Sequence, residues 1–178
     1  MKAIEYIDKT REYLDYLQDH IINVSRAWIE LTDKCKDMRF ISDDYVYNSL
    51  CDEITDHDLS KLSAEEFVQY REAFFPVDGE DKKPLGDAWE HHKANNPHHW
   101  ENWTAEKYIN PYAWEVHCVH MVCDWMAMGY KFEDTAQEYY ERNTDRIKLP
   151  GYAVAFIYEI FDRIKPKGVE RSNERPTE

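Results

Sequence analysis

Between residues 14 and 31, large apolar residues recur at alternating intervals of three and four positions. The series is Leu14, Leu17, Ile21, Val24, Trp28 and Leu31. Because an α-helix completes one turn in about 3.6 residues, this spacing places all of them on one face of a long helix. His20 flanks the predicted stripe. A helix with such a stripe has to pack against other apolar surfaces, so the chain is expected to fold as a helical assembly.

A second helix is predicted to start at Ser42, because serine is a favoured N-cap residue. Its inward face is predicted to carry Tyr45, Val46, Ser49, Leu50 and Ile54. The helix then delivers the segment Asp56-His57-Asp58 at its end. Ser63 and Glu66 have the spacing of a capping box, which predicts a third helix. The residues expected on one side of that helix are Phe67, Tyr70 and Phe74.

The rest of the chain continues the helical pattern. Residues 76–86 are rich in proline, glycine and charge, which predicts a surface loop before a short helix over 87–95. Asn110-Pro111 is expected to open a further helix that Gly129 closes. Its inner stripe would hold Trp114, His117, Cys118, Met121, Trp125 and Met128. Two more helices are predicted over about 133–146 and 151–164. We therefore expect one all-α domain over residues 1–164 and a disordered tail over 165–178.

Composition excludes several classes of protein. The chain has 36 acidic residues against 22 Lys plus Arg, a formal charge of −14, which argues against a broad nucleic-acid surface or docking on anionic lipid. No apolar run approaches the roughly 18 residues that a membrane span needs. The N-terminus lacks the features of a signal peptide, and the four cysteines show no paired spacing. A cytoplasmic protein with reduced thiols is expected.

Histidine clustering is the strongest functional signal in the chain. Six of the eight histidines lie within residues 91–120: His91, His92, His98, His99, His117 and His120. Imidazole is the commonest side-chain metal ligand, and nearby carboxylates such as Asp124 favour a hard or borderline divalent cation over a thiolate site. The pattern predicts one or two divalent ions, without distinguishing Mn, Fe, Mg, Co, Ni and Zn.

Several choices among the histidines stay open. His92 is preferred to His91 as a ligand, because it lies on the same helical face as Ala88 and Trp89. Pro97 breaks the helical period, so the sequence does not choose between His98 and His99.

The roles of two further groups of residues have more than one interpretation. His117 and His120 share a face with Asp124 and would act as ligands, as groups that hold ligands, or as core residues bonded to the backbone. Some tryptophans would either stack on a base or pack in the core. These are Trp89, Trp100, Trp103 and Trp114.

The order of these residues resembles that of a known superfamily. His20 on a first helix, His57-Asp58 ending a second, a histidine-rich middle and Asp124 on a later helix resemble the His, His-Asp, Asp pattern of the HD-domain metal-dependent phosphohydrolases. The segment His57-Asp-Leu-Ser-Lys61 also resembles the HD-x-x-K variant of the dinuclear cyclic-dinucleotide phosphodiesterase branch. The resemblance covers roughly residues 14–128.

Two longer strings resemble a narrower group. HDLSKLSAEEF and AWEHHKANNPHHWENW are similar to segments of a small, largely uncharacterised family of bacterial and phage proteins, for which an HD-like fold is expected. The Gly-Tyr-Pro signature of the cyclic-dinucleotide branch is absent after His98-His99, where Trp100-Glu-Asn-Trp103 stands instead. The resemblance therefore implies the metal site of that branch but not its substrate.

The resemblance implies a role for each residue. A first ion would be held by His20, His57, Asp58 and Asp124. A second ion would use Asp58 as a bridge, together with His92 and either His98 or His99. Asp58 would be a catalytic residue, and Lys61 would contact substrate phosphate and not metal, since a charged ammonium has no lone pair to offer a cation. A solvated Lys61 paired with Glu65 is the alternative reading.

The expected function is therefore a metal-dependent phosphohydrolase that acts through a metal-activated water on a small, nucleotide-like phosphoester. Two alternative functions are also compatible with the sequence. One is an HD-type di-iron oxygenase of a small molecule, and the other is a non-catalytic acidic protein that binds a nucleotide or a partner. The sequence leaves the substrate and the oligomeric state open.

Overall fold

The computed structural model describes residues 2–104 and 113–165. In these two ranges the chain forms helices and no strands, which confirms the all-α prediction. The helices are α1 (Lys2–Lys34), α2 (Arg39–Ser42), α3 (Asp44–Thr55), α4 (Phe67–Phe74), α5 (Asp87–Asn95), α6 (Glu101–Thr104), α7 (Trp114–Phe132), α8 (Ala136–Arg142) and α9 (Gly151–Ile164). A short 3₁₀ helix, Leu59–Leu62, lies between α3 and α4.

Helix α7 is the centre of the fold and packs against α1, α3, α8 and α9. Nearly every side chain of α7 from Glu115 to Ala127 is buried. A helix that is buried on nearly all sides needs neighbours on all of them, which explains why the single inner stripe predicted for this segment understates its burial. No described helix combines the length and the apolar content that crossing a lipid bilayer requires.

The buried face of α1 differs from the predicted stripe by about one position. Leu14 is 40% exposed, whereas Tyr13 is 1% exposed and packs in a small second core with Tyr70 and Ala88. The buried face comprises Tyr13, Leu17, His20, Val24, Ala27, Trp28 and Leu31. His20 therefore lies within the buried face and not beside it, which brings its imidazole into the interior.

Two predicted helix starts are wrong. Asp43, and not Ser42, caps α3: its carboxylate accepts hydrogen bonds of 3.1 Å from the amides of Tyr45 and Val46. Ser42 instead ends the short helix α2. The predicted inward residue Tyr45 is 71% exposed.

The capping box at Ser63 is also wrong. Helix α4 starts at Phe67, and Glu66 makes no capping hydrogen bond. The Glu66 carboxylate is fully buried and is bonded to two histidines, so it is not free to reach back to the backbone. The predicted third helix is therefore shorter, and Phe74 on its predicted inner side is 47% exposed.

Gly129 does not close α7, which continues to Phe132 and ends at Glu133 in a left-handed conformation (φ 57°). A Cβ atom on Gly129 would lie 2.3 Å from the carbonyl oxygen of Asp134, so the glycine permits the chain to pass close by. Helices α5 and α9 match their predicted ranges, and α8 is shorter than predicted. The predicted start at Asn110-Pro111 and the tail beyond residue 165 lie outside the described residues.

Candidate metal centre

His57 and Asp58 lie between Asp56, which caps the end of α3, and the 3₁₀ helix that starts at Leu59. Asp58 adopts a left-handed backbone conformation (φ 57°), which aspartate tolerates better than most residues. The backbone carbonyl of Asp58 accepts a 2.9 Å hydrogen bond from the Lys61 amide, which holds the turn. Both His57 and Asp58 are 2% exposed. This tight turn places two adjacent side chains in one buried site.

Four side chains from three parts of the fold converge at this turn. His20 Nε2, on α1, lies 3.0 Å from His57 Nε2, 3.5 Å from Asp58 Oδ2 and 3.2 Å from Asp124 Oδ1, on α7. His57 Nε2 lies 3.4 Å from Asp58 Oδ2 and 4.0 Å from Asp124 Oδ1. The packing of α1, α3 and α7 thus brings together the four residues expected to hold the first ion.

These spacings fit the ligand shell of one cation. Ligand atoms about 2.1 Å from an ion stand about 3.0 Å apart at right angles and about 4.2 Å apart when they face each other across it. The five separations given above lie between 3.0 and 4.0 Å. Two imidazoles and two carboxylates form a donor set that suits a borderline or hard divalent cation. We call this set, His20, His57, Asp58 and Asp124, the first site.

Asp58 also faces a second group of ligand atoms. Its Oδ1 lies 3.3 Å from His92 Nε2, and single ligand atoms of Asp58, His92 and His99 lie within 4.8 Å of one another. Asp58 Oδ1 and His99 Nε2 are buried without a hydrogen-bond partner in the described parts of the chain. Unpartnered buried polar atoms are costly unless a ligand satisfies them. We call Asp58, His92 and His99 the second site.

His92 is oriented by Glu66, a residue that the sequence analysis assigned to a capping box. Glu66 Oε2 lies 2.9 Å from His92 Nδ1, so the proton of His92 sits on Nδ1 and its Nε2 is free to face the second site. A carboxylate that accepts from the remote nitrogen of a histidine is the usual support for a metal-ligating imidazole. Glu66 Oε1 accepts from His91 Nδ1 at 2.7 Å, and the His91 side chain is 34% exposed. His91 is thus placed outside both sites.

His98 and His99 point to different parts of the centre. His99 belongs to the second site, whereas His98 lies with His57 and His120 in a third group of close ligand atoms. Both ring nitrogens of His98 are buried and have no hydrogen-bond partner in the described ranges. His57 Nδ1 lies 2.7 Å from His120 Nε2, so His120 contacts His57 of the first site on the ring nitrogen that faces away from Asp58. His117 is part of none of these groups.

The carboxylates of the centre are held ionised. Burial by itself would raise the pKa of Asp58, but the neighbouring His57 and Lys61 hold it well below its usual range. Burial likewise opposes ionisation of Asp124, and its hydrogen bond with His20 outweighs that effect and lowers its pKa. Both groups are therefore charged acceptors at neutral pH.

The histidines divide into two electrostatic classes. Burial disfavours the charged form of His20, but its hydrogen bonds with Asp124 and Asp58 dominate and raise its pKa to about 9. Burial lowers the pKa of His99 to about 4 and lowers those of His98 and His120. Neutral imidazoles with a free lone pair are the form that binds metal ions. In the metal-free protein, His20 instead carries a proton that compensates the carboxylates.

Lys61 lies beside the centre and not at the surface. Its Nζ is 2.5 Å from Asp58 Oδ2, and its side chain is 15% exposed. Burial would lower the pKa of Lys61, but Asp58 outweighs this effect and raises it. The alternative interpretation of the sequence pairs Lys61 with Glu65, but in the described residues Lys61 forms its ion pair with Asp58. Lys61 is thus a partly buried cation next to the carboxylate shared by the two sites.

A cavity of about 470 Å³ opens onto the centre. Its end next to the two sites is lined by His20, Asp58, Lys61, His92, His99 and Asp124. Its aromatic wall includes Tyr13, Tyr16, Tyr70, Trp89, Trp100, Trp125, Phe132 and Tyr139. Trp114 packs instead in the core, edge-on to Tyr152 and Phe156, and the side chain of Trp103 lies outside the described part. The cavity is large enough for a small molecule with a flat apolar part.

Comparison with known proteins gives a family but no activity. Residues 9–163 match the model of a family of unknown function (DUF5662). No curated protein matches the chain, and neither does any solved structure.

Proposed function

The chain belongs to the DUF5662 family, whose function is unknown, and from the candidate metal centre we propose that the protein is a metal-dependent phosphohydrolase. The observation that carries the proposal is the position of Asp58. One oxygen of its carboxylate faces His20 and His57, and the other faces His92. A carboxylate shared in this way bridges two cations in many hydrolytic centres, where the ions lie about 3.5–4 Å apart.

The donor set supports this chemistry. Divalent ions held at the two sites would lower the pKa of a bound water to near neutrality and offset charge on a phosphoryl oxygen. The protein's own part is to keep Asp58 and Asp124 ionised and His92 and His99 free to bind. It also excludes bulk water, because Asp58 and His92 are at most 2% exposed. Such exclusion strengthens each electrostatic contact in the site.

Lys61 supports a phosphoester as the substrate. Its ammonium lines the cavity and lies beside the shared carboxylate, where it can donate a hydrogen bond to a phosphoryl oxygen. Formal net charge does not oppose an anionic substrate, because the local field would be set by the cations and Lys61. The aromatic wall of the cavity favours a substrate with a flat ring, and we propose a nucleotide-like phosphomonoester or phosphodiester.

Metal analysis followed by a phosphate-release assay tests the proposal. Protein purified without chelators or a histidine tag is loaded with Mn²⁺, Fe²⁺, Co²⁺, Ni²⁺, Zn²⁺ or Mg²⁺ and assayed on a panel of nucleotides and cyclic dinucleotides. We expect bound metal and release of phosphate or nucleotide with at least one ion. The Asp58→Asn variant should lose both, and Asp56→Asn, in the exposed residue two positions earlier, should lose neither.

Two results would overturn the proposal. Coloured, iron-loaded protein that consumes oxygen and hydrolyses no phosphoester would support a di-iron oxygenase on the same ligands. Metal-loaded protein that retains a nucleotide stoichiometrically without turnover, with each of the ions, would support a binding protein.

A further inference from the structure

His57 presents one ring nitrogen to the first site and the other to the interior. Its Nε2 lies among His20, Asp58 and Asp124, and its Nδ1 lies 2.7 Å from His120 Nε2. A neutral histidine that offers the Nε2 lone pair to a cation carries its proton on Nδ1. His57 Nδ1 is then the donor of this hydrogen bond, and His120 Nε2 is the acceptor.

This direction fixes the proton of His120. An imidazole that accepts through Nε2 carries its own proton on Nδ1. His120 Nδ1 makes no hydrogen bond among the residues that the structure describes, and the nearest carboxylate oxygen facing it is Glu53 Oε2, in ion-pair contact at 3.4 Å. The Glu53 side chain is 34% exposed, so its carboxylate remains partly hydrated. The Nδ1 proton of His57 therefore points to His120, and the Nδ1 proton of His120 points towards Glu53.

We propose that His120 and Glu53 are positioning residues for His57 at the first site. The chain of contacts fixes the tautomer and the ring plane of His57, and the negative charge of Glu53 makes its Nε2 a stronger electron donor. The inference rests on the metal centre of the proposed function. Glu66 supports His92 at the second site through one direct contact of 2.9 Å. Each site therefore has one supporting carboxylate outside its ligand set, Glu53 for the first site and Glu66 for the second. Loss of either carboxylate should weaken one site and leave the other intact.

A competing arrangement uses the same atoms differently. His57, His98 and His120 present ligand atoms close enough to hold an ion of their own. An ion there in addition to the ion of the first site would need His57 to bind cations through both nitrogens, which requires removal of both ring protons. A hydrogen bond needs no such deprotonation, and it matches the 2.7 Å separation. A third bound ion is therefore the outcome that contradicts the positioning role.

Titration of metal-free protein with Mn²⁺, followed through the electron paramagnetic resonance signal of free Mn²⁺, tests the proposal without any turnover. We expect Glu53→Ala and His120→Phe each to weaken one Mn²⁺ by about 10- to 100-fold, the usual scale for residues that orient metal ligands. Because the two residues act through one chain of contacts, the double variant should be no weaker than His120→Phe alone. His120→Gln keeps an acceptor for His57 and should recover part of the affinity.

Asp52→Asn is the matched control, because it removes one negative charge from the same helix at the exposed neighbour of Glu53. It should leave both Mn²⁺ affinities unchanged. If His120→Phe does not fold, as judged by circular dichroism, Glu53→Ala and Glu53→Gln carry the test from their partly exposed position.

The proposal is overturned by unchanged affinity in both single variants, by additive losses in the double variant, by an equal loss in Asp52→Asn, or by three Mn²⁺ per chain. Wild-type protein that binds no Mn²⁺ overturns it as well. Wild-type protein that binds Mn²⁺ and shows these losses, but hydrolyses no phosphoester, sustains the positioning role and contradicts only the proposed hydrolysis.

Discussion

His57 Nε2 lies 4.0 Å from Asp124 Oδ1, although the two residues belong to different parts of the chain. His57 follows α3, and Asp124 lies within α7, the central helix. His20, on α1, lies within 3.2 Å of both side chains. The first site thus exists only when three helices pack correctly, so a metal affinity measured there would report on the tertiary fold as well as on the four side chains.

The proton on His20 predicts how the stability of the metal-free protein depends on pH. The pKa of His20 is raised from 6.5 to about 9, so the folded state binds this proton more tightly than the unfolded state does. The contribution is complete below pH 6.5 and is lost as the pH rises through about 9. It amounts to about 3 kcal/mol at most, at about 1.4 kcal/mol per pH unit. Urea unfolding of chelated protein at pH 6.5 and 9 measures it, and His20→Gln should flatten the difference.

The same proton should compete with metal. Mn²⁺ has to displace it from His20 before the first site is complete, so Mn²⁺ affinity should rise between pH 6.5 and 9. A Mn²⁺ affinity that is constant over this range would show that His20 is not a ligand.

Glu66→Gln should selectively weaken the second site. The variant replaces the charged acceptor of His92 Nδ1 by an amide, which weakens the orientation of His92 and lowers its donor strength. We expect one Mn²⁺ to bind about 10- to 100-fold more weakly and the other to bind as in the wild type. Glu65→Gln, at the exposed neighbouring residue, is the control. Equal weakening of both ions would contradict the separation of the two sites.

The two adjacent histidines should behave differently. His99→Ala removes one of the three side chains of the second site, so we expect one Mn²⁺ fewer per chain. His98→Ala should retain two ions, because the His98 nitrogens lie with His57 and His120 and not with Asp58. Metal analysis of both variants after gel filtration measures the count. Loss of an ion in His98→Ala alone would reverse the assignment.

Sequence reasoning could single out the residues of the first site because histidines and carboxylates are distinctive and their helical setting is periodic. It named His20, His57, Asp58 and Asp124, and the structure brings these four together. It did not identify Glu66 as the residue that orients His92, because the spacing of Ser63 and Glu66 matched a capping box. The contact of Glu66 with a histidine on α5 is tertiary, and no local spacing reports it.

The one-position error in α1 has a similar cause. Apolarity favoured Leu14, but the second core selects Tyr13, whose ring contacts Phe67 edge-on at a centroid distance of 5.4 Å. Tyrosine is found both at the surface and in the core, so the neighbouring sequence does not predict its burial. The contact with Phe67 on α4 determines that Tyr13 is buried. The shift matters for function, because the same face of α1 carries His20.

Gly129→Ala tests the close approach at the end of α7. An added Cβ would meet the backbone of Asp134 at 2.3 Å, and a backbone atom gives way less easily than a side chain. We expect a loss of about 1–3 kcal/mol in the free energy of unfolding, the usual cost of overpacking. Gly151→Ala, where an added Cβ meets nothing within 4 Å, should be neutral or slightly stabilising. Thermal unfolding of both variants distinguishes close packing from general intolerance of alanine.

Lys61→Met should separate the structural role of this lysine from its catalytic role. In the metal-free protein, the ammonium lies 2.5 Å from Asp58 Oδ2 and compensates a buried carboxylate. Removing one partner of a buried ion pair costs about 3–5 kcal/mol, so the metal-free variant should unfold at a lower urea concentration. Cations at Asp58 would supply the missing positive charge, so Mn²⁺ should restore most of this stability.

Turnover should respond differently from stability. Under the proposed function, the Lys61 ammonium donates to a phosphoryl oxygen, and bound metal does not replace that donor. We expect Lys61→Met to keep its metal but to lose a factor of about 10² or more in kcat, the scale for removal of one charge-stabilising donor. Lys36→Met, at an exposed lysine paired with Asp33, should leave both stability and turnover unchanged. Normal metal content with undiminished turnover would restrict Lys61 to holding Asp58 in the metal-free protein.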